Sequence, residues 1–308
     1  MREIEDGIYF GMRDDEYHAS PALGSSMLKQ LEDRSADFWW DSWMNPARPE
    51  DKETPAKLFG RRLHTCVLEG RDAFLARYAA VQEPGNTKAG KAERAAVIGS
   101  GKEPVNFDDY QHILAASAFI KANKNLANAF ENGEPEVSVF WTVDDIQFKA
   151  RFDYLKMNAI TDLKSIRNPH GKEFRQACRD AIGNYEYLVS AEHYAEGRRQ
   201  MKGLIKAGRV FGDVDRDWLS KVAANDIFAL VFVFWQAAGA PISHGIKLSP
   251  GNPLFATARM KISKAVHNYR LFLREFGPDT AWVPTTELEE LDETELPIYY
   301  QRKLASGE

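Results

Sequence analysis

Cysteine is scarce in this chain. Cys66 and Cys178 are the only two in 308 residues, too few for a disulfide framework. A reducing cytoplasm is the expected setting, with both thiols acting as small apolar core residues. Long apolar runs are missing as well. None approaches the roughly 20 residues that a membrane-spanning helix requires, and the opening MREIEDGIYF lacks the basic-then-apolar pattern of a secretion signal. Positive charge is not in excess either: the net charge is −5 and the pI about 5.9. That excludes a protein that coats nucleic acid through bulk charge, but it allows local contact. No internal repeat and no linker divides the chain. The expectation is one α/β domain over residues 1–308, with a helical part over about 1–130 and helical and strand additions over about 211–308. The acids crowd one late stretch, where Glu287, Glu289, Glu290, Asp292, Glu293 and Glu295 read as a solvated surface segment.

The elements follow from periodicity and punctuation. Ser25 and Ser26 precede a helix through Leu31, and Phe38, Trp39, Trp40 and Trp43 read as core or a packing surface. Thr54-Pro55 is an N-cap with a first-turn proline. Leu58, Phe59, Leu63, Cys66 and Val67 then recur at helical spacing until Gly70. His64 rides on that helix, and Phe74 and Tyr78 suggest a short continuation. Glu83 to Pro104 is rich in Gly, Lys and Ala and predicts a mobile surface segment with a short helix near Ala89 to Ala96. A helix with Tyr110, Ile113, Leu114 and Ile120 on one face follows.

The centre is β-rich. Glu136 to Val143 is dense in β-branched and aromatic residues, and Asp144-Asp145 marks a turn without glycine. From Ile146 to Tyr154 the alternation is clean: Ile146, Phe148, Ala150 and Phe152 share one face, and Gln147, Lys149, Arg151 and Asp153 share the other. A third strand runs from Ala159 to Ser165, with Asp162 and Lys164 on one side of it. Helices are predicted over Lys172 to Ile182 and over Tyr185 to about Arg209. The run IFALVFVFW from Ile227 to Trp235 reads as a buried strand, His244 to Leu248 as its partner, and Pro253 to Phe276 as an amphipathic helix stopped by Gly277.

The ladder Glu136, Arg151-Phe-Asp153, Asp162-Leu-Lys164 carries the chemistry. Carboxylates on adjacent strands suit Mg²⁺, which takes oxygen ligands and keeps several waters. Bound metal lowers the pKa of its water and offsets charge growing on a phosphate. A lysine beside it can orient or deprotonate that water and stabilise the transition state. Asp153 reaches the same spot if its strand pairs with the next, and Arg151 on the same face can hold a phosphate or an acid.

Five stretches in order carry a resemblance: S-S-M-L-K-Q-L from Ser25, L-F-G-R-R-L-H-T-C-V-L-E-G from Leu58, E-V-S-V-F-W with K-A-R-F-D-Y, T-D-L-K-S from Thr161, and Y-E-Y-L-V-S-A-E-H-Y from Tyr185. Together they resemble the exonuclease VIII (RecE-like) family of the PD-(D/E)xK nuclease superfamily, relatives of lambda exonuclease and the RecB nuclease domain. The likeness runs from about Gly7 to Gly197. It implies an α/β fold with a restriction-endonuclease-like core, a central mixed sheet flanked by helices. His64, Asp153, Asp162 and the backbone carbonyl of Leu163 match the metal ligands, Lys164 matches the catalytic lysine, and Glu136 matches an additional acid.

The resemblance further implies Mg²⁺, with Mn²⁺ as a substitute. The implied activity is ATP-independent 5′ to 3′ degradation of double-stranded DNA from its ends, in a phage or prophage setting. The 3′ overhangs would serve a RecT-type single-strand annealing protein, and the enzyme would form a homo-oligomeric ring. One departure stands out. The superfamily's Q-x-x-x-Y finds Tyr194, but Ser190 occupies the glutamine position, with Glu192 or Gln176 as candidate substitutes. Arg151, Arg167, Lys172, Arg175 and Tyr194 are candidate DNA contacts, with Arg179 beside them and a second basic group of Arg198, Arg199, Lys202, Lys206 and Arg209. The alternatives are a nuclease of the same fold acting on single-stranded or nicked DNA, and a DNA-binding recombination subunit with weak cleavage.

Overall fold

The structure, a computed structural model, describes residues 3–49, 52–168 and 170–306, apart from the side chain of Glu293. Its strands are β1 (Gly7–Tyr9), β2 (Tyr78–Val81), β3 (Glu103–Asn106), β4 (Gly133–Val143), β5 (Ile146–Lys156), β6 (Ala159–Ile166), β7 (Val210–Phe211), β8 (Ala229–Gln236) and β9 (Ser243–Leu248). Its α-helices are α1 (Asp14–Ala19), α2 (Ser25–Asp33), α3 (Ser35–Asp41), α4 (Pro55–His64), α5 (Arg71–Arg77), α6 (Lys88–Gly99), α7 (Phe107–Ala122), α8 (Phe174–Asn184), α9 (Tyr187–Lys206), α10 (Arg216–Ala224), α11 (Leu254–Phe276) and α12 (Ile298–Ser306).

Seven strands form a mixed, mostly antiparallel sheet in the order β7-β1-β4-β5-β6-β8-β9. The β4–β5 hairpin is its longest pairing, from Gly133↔Lys156 to Val143↔Ile146. The turn uses Asp144 at φ 56° in place of a glycine, a conformation that a short polar side chain tolerates. Arg270 of α11 bonds both turn carboxylates, Asp144 at 2.9 Å and Asp145 at 3.0 Å. The apolar run predicted as a buried strand is β8. It lies parallel to β6 along all of β6, from Ala159↔Ala229 to Ile166↔Gln236.

Helices cover both faces of the sheet. On one face, Leu28 and Leu31 of α2, Val189, Ala195 and Met201 of α9, and Ala265 of α11 pack on Val139, Trp141, Phe148, Ala150 and Phe152. On the other, Leu63, Cys66, Phe74, Ile113 and Ile120 pack on Tyr154, Leu163, Val233 and Trp235. The predicted alternation along β5 therefore places its apolar residues in the core. Gly197 lets α9 approach the sheet closely, since a Cβ there would meet the Trp141 ring at 3.0 Å.

Three predicted boundaries differ. Glu83 to Pro104 is built as a crossover: α6 links β2 to the parallel strand β3, and Tyr78 begins a strand instead of extending a helix. Gly90 permits this packing, because a Cβ there would lie 2.1 Å from the Pro84 carbonyl oxygen. The helix from Pro55 stops being α-helical at His64 and continues as a π turn, Thr65–Glu69, before Gly70 at φ 100° ends it. The acid-rich stretch after Thr286 is exposed as predicted where its side chains are described; the side chain of Glu293 lies outside the described residues. No helix among the described residues is long and apolar enough to cross a membrane.

Candidate active site

The strands bearing the predicted acids meet briefly and then part. β5 and β6 pair at Leu155↔Ile160 and Tyr154↔Thr161. Asp153 and Asp162 are the next residues on each strand, at the mouth of the fork. The facing pattern of β5 shifts here: Phe152 and Leu155 belong to the α2/α9 side, and Tyr154 to the α4/α7 side. Asp153 Oδ2 fills the gap by accepting the Leu163 N–H at 2.7 Å. That bond replaces a ladder bond and satisfies an amide that would otherwise be orphaned.

Asp162 is fully buried. Its Oδ1 accepts from Lys164 Nζ at 2.8 Å, as expected for residues two apart on a strand. Its Oδ2 is buried without a hydrogen-bond partner among the described residues. Burial raises the Asp162 pKa, and Asp153 alongside adds to this, against the pull of Lys164. For Lys164, burial works against the charged form, but Asp162 and Asp153 outweigh it and hold the ammonium above the ordinary lysine range. The Tyr194 phenol on α9 feels the same charges; burial first, then Asp162, raises its pKa so that it keeps its proton. The lysine and both aspartates thus converge on one locus.

His64 and Glu136 approach from the other side. The Thr54 hydroxyl caps α4 by accepting from the Lys57 amide at 3.2 Å. Arg62 ties that helix to β3 through Glu103 at 2.8 Å and the Pro104 carbonyl at 3.2 Å. The π turn begins directly after His64, a distortion frequent at functional sites. His64 Nδ1 lies 3.4 Å from Glu136 Oε1. Burial pulls the His64 pKa down, but Asp153 and Glu136 together outweigh it and the pKa is raised. Glu136 and Asp153 fall between the Pro135↔Tyr154 and Val137↔Phe152 pairs, at a position the β4–β5 ladder skips, and Glu136 holds φ at 51°. For a glutamate this conformation costs on the order of 1–3 kcal/mol, the kind of strain that gathers at functional sites.

His64, Glu136 and Asp153 line a cleft of about 1050 Å³. Its walls carry arginines already bound to acids: Arg61 to Glu53 at 2.7 Å, Arg77 to Glu69, and Arg151 to Asp14 at 3.1 Å. Arg151 also donates to Ser138 Oγ at 2.9 Å and to the Met12 carbonyl at 3.1 Å. No group of three or more His, Cys, Asp and Glu side chains among the described residues is gathered closely enough to hold a metal. The donors nevertheless suit Mg²⁺: an unpartnered buried carboxylate oxygen on Asp162 lies beside a second carboxylate, and this ion takes few protein ligands and keeps its waters.

The other predicted contacts are dispersed. Lys172 pairs with Asp180 at 2.6 Å. Arg167, Arg175 and Arg179 are exposed, the last two facing His244 on β9. Arg198 is not a surface residue. It is buried, donating to the carbonyls of Lys156, Ala159, Met157 and Val222 at 2.7–3.2 Å, and so clamps the β5–β6 turn. Neither candidate substitute for the missing glutamine forms a hydrogen bond with Asp153, Asp162 or Lys164 among the described residues. Glu192 accepts from Arg199 and Arg259, and Gln176 donates to Asp180, while Ser190 is buried. Sequence reasoning overlooked Lys29 on α2 and Tyr187 on α9, which lie against Lys164. The only local hint was that Lys29 falls within the S-S-M-L-K stretch.

A sequence model of a family described as a PDDEXK-like domain of unknown function (DUF3799) matches residues 24–224, which contain His64, Glu136, Asp153, Asp162 and Lys164. A solved structure from Eubacterium rectale, described as a "Putative exonuclease", superposes with a TM-score of 0.51 at 12% identity over 85% of this chain and 87% of that one. The structure of SSO0001 aligns with a TM-score of 0.28 at 10% identity over 83% of this chain and 81% of that one, too low to bear on the fold. No curated protein matches the chain.

Proposed function

The chain belongs to the family of PDDEXK-like domains of unknown function (DUF3799), and from that premise we propose that it is a metal-dependent, ATP-independent exodeoxyribonuclease acting on double-stranded DNA. The observation that carries this reading is the fork: Asp153, Asp162 and Lys164 meet where β5 and β6 part, and one Asp162 oxygen has no partner among the described residues. Asp153, Asp162 and the Leu163 carbonyl would hold Mg²⁺, or Mn²⁺ in its place, with His64 at the cleft side. When bound, the ion supplies a more acidic water and offsets charge on the phosphate.

The chain's own groups have defined parts. Asp162 fixes the Lys164 ammonium in place. Held there, Lys164 is placed to donate to the water or to a phosphate oxygen. Tyr194 keeps its proton and is a second donor. Glu136 orients the His64 ring through Nδ1. The paired arginines of the cleft offer phosphates little free charge, so Arg61, Arg77 and Arg151 must exchange acid partners for DNA.

Polarity and partners rest on the resemblance to the RecE-like family alone, while attack from ends also accords with the name of the Eubacterium rectale protein. The proposed reaction runs 5′ to 3′ and leaves 3′ overhangs for a RecT-type annealing protein, with the chain assembled as a homo-oligomeric ring. End-labelled linear duplex incubated with and without Mg²⁺ tests this. Loss of label from 5′ ends that needs the metal is the expected result. Cutting of closed circles would replace the exonuclease by an endonuclease of the same fold. Binding without product under Mg²⁺ or Mn²⁺ would leave a non-cleaving DNA-binding subunit and defeat the proposal.

A further inference from the structure

The site leaves one cation unaccounted for. Lys29 projects from α2 toward β6, and its Nζ lies 5.3 Å from the centroid of the Tyr187 ring. Lys164 Nζ lies 5.4 Å from the same centroid. Two ammonium groups therefore share one aromatic ring, and each raises the cost of charging the other. The ring attracts both, but a cation–π contact is weak and neutralises neither.

The nearby acids have other partners, with one Asp162 oxygen left over among the described residues. Asp162 Oδ1 is held by Lys164, Asp153 Oδ2 by the Leu163 amide, and Glu186 by Lys261. Among the described residues no carboxylate forms an ion pair or hydrogen bond with Lys29. Burial first, then Lys164, brings its ammonium down to about 8. A half-buried cation without an anion is unfavourable unless something of opposite charge joins it. Asp162 engages Lys164, so Lys29 has no carboxylate of its own among the described residues, and it shares the Tyr187 ring with the lysine that a scissile phosphate must reach.

We propose that Lys29 is a second cationic catalytic residue, donating to a non-bridging oxygen of the phosphodiester being cut while Lys164 serves the attacking water. This rests on the nuclease reading above. As the attacking oxygen adds to phosphorus, negative charge grows on the non-bridging oxygens, so the contact strengthens toward the transition state. It should show in kcat more than in KM.

The test compares the full chain with Lys29→Met and Lys29→Arg on linear duplex with Mg²⁺, measuring kcat and KM separately and thermal unfolding alongside. Methionine keeps the length and the packing on Tyr187 but loses the charge. The expected result is a kcat lowered about 100-fold in Lys29→Met, with KM within about 3-fold and an unchanged melting temperature. Lys29→Arg should recover to within about 10-fold of the parent rate. A parent-like kcat in Lys29→Met overturns the proposal and leaves the nuclease reading standing. So does an equal loss in both variants, or a loss that tracks lowered stability, because either assigns Lys29 to packing. Should Lys29→Met fail to fold, Lys29→Gln takes its place against the same criteria. A parent chain that cuts no DNA with Mg²⁺ or Mn²⁺ is a different result, which removes the nuclease reading and this inference with it.

Discussion

Asp153 Oδ2 accepts the Leu163 N–H at 2.7 Å across the gap where β5 and β6 separate. One carboxylate thus has two duties, to bridge two strands and to present negative charge. Substitutions separate them. In Asp153→Asn the amide oxygen still accepts from Leu163, so the fold should hold while cleavage falls by about 1000-fold or more. Asp153→Ala also strands a buried N–H, adding a stability loss of roughly 1–3 kcal/mol. Metal-dependent nucleotide release and urea midpoints, measured on both variants, check this; equal stability for the two would refute the bridging duty.

The ion pair of Asp162 and Lys164 is unevenly exposed. The Asp162 side chain is 0% accessible and that of Lys164 20%. From sequence alone, truncating either would be expected to abolish cleavage and leave the fold intact. The burial adds a stability cost. Either truncation leaves a partner uncompensated, at roughly 3–5 kcal/mol for a fully buried pair. Lys164→Ala should cost more than Asp162→Ala, since the stranded lysine can turn to solvent and the stranded aspartate cannot. Denaturant titrations at neutral pH that rank the two in reverse would contradict it.

His193 predicts a pH dependence of stability. Its Nε2 donates to the Lys149 carbonyl at 2.8 Å. Burial, the largest influence, lowers its pKa from 6.5 to about 4. The folded chain binds this proton less readily than the unfolded chain does. The contribution is therefore whole above pH 6.5 and is lost as pH falls toward about 4. The slope from this one group approaches about 1.4 kcal/mol per pH unit. Urea unfolding across that window should show it, and His193→Gln should flatten it; an identical slope in the variant would sink the assignment.

Arg198 gives a prediction with opposite readouts. Its four carbonyl contacts hold the β5–β6 turn. Lysine cannot span them, so Arg198→Lys should lower stability by roughly 3 kcal/mol. Affinity for DNA, measured on the folded fraction and across salt concentrations, should be unchanged. A shallower salt dependence in the variant would return Arg198 to the DNA surface.

The β4–β5 hairpin and its neighbours were legible because each has a strong local signature. The alternation from Ile146 to Phe152, the apolar run of β8, and the frame of Thr54-Pro55 and Gly70 around the His64 helix are set by residues close in sequence. What escaped has its cause far away along the chain. β1 and β7 are short and owe their strand character to partners: Gly7 pairs with Phe140, and Ile8 with Val210. The α6 crossover reads as surface because Lys88, Lys91 and Gly99 do face outward, while the buried Gly90 and the parallel pairing of β2 with β3 supply the order. Arg198 looks like its exposed neighbour Arg199 until the β5–β6 turn arrives beneath it. At the site, Asp153, Asp162 and Lys164 are readable from spacing, but Lys29 is not, since nothing near it says that α2 will pack on α9 and bring Lys29 to the Tyr187 ring.

The long parallel seam between β6 and β8, from Ala159↔Ala229 to Ile166↔Gln236, has an evolutionary consequence. Sliding one strand past the other by a single residue would turn Asp162 and Lys164 inside out, so insertions or deletions within either strand are forbidden to any descendant that keeps the chemistry. Length changes belong in the segments that join them, where a lineage can lengthen, trim or decorate the chain and still inherit a working blade.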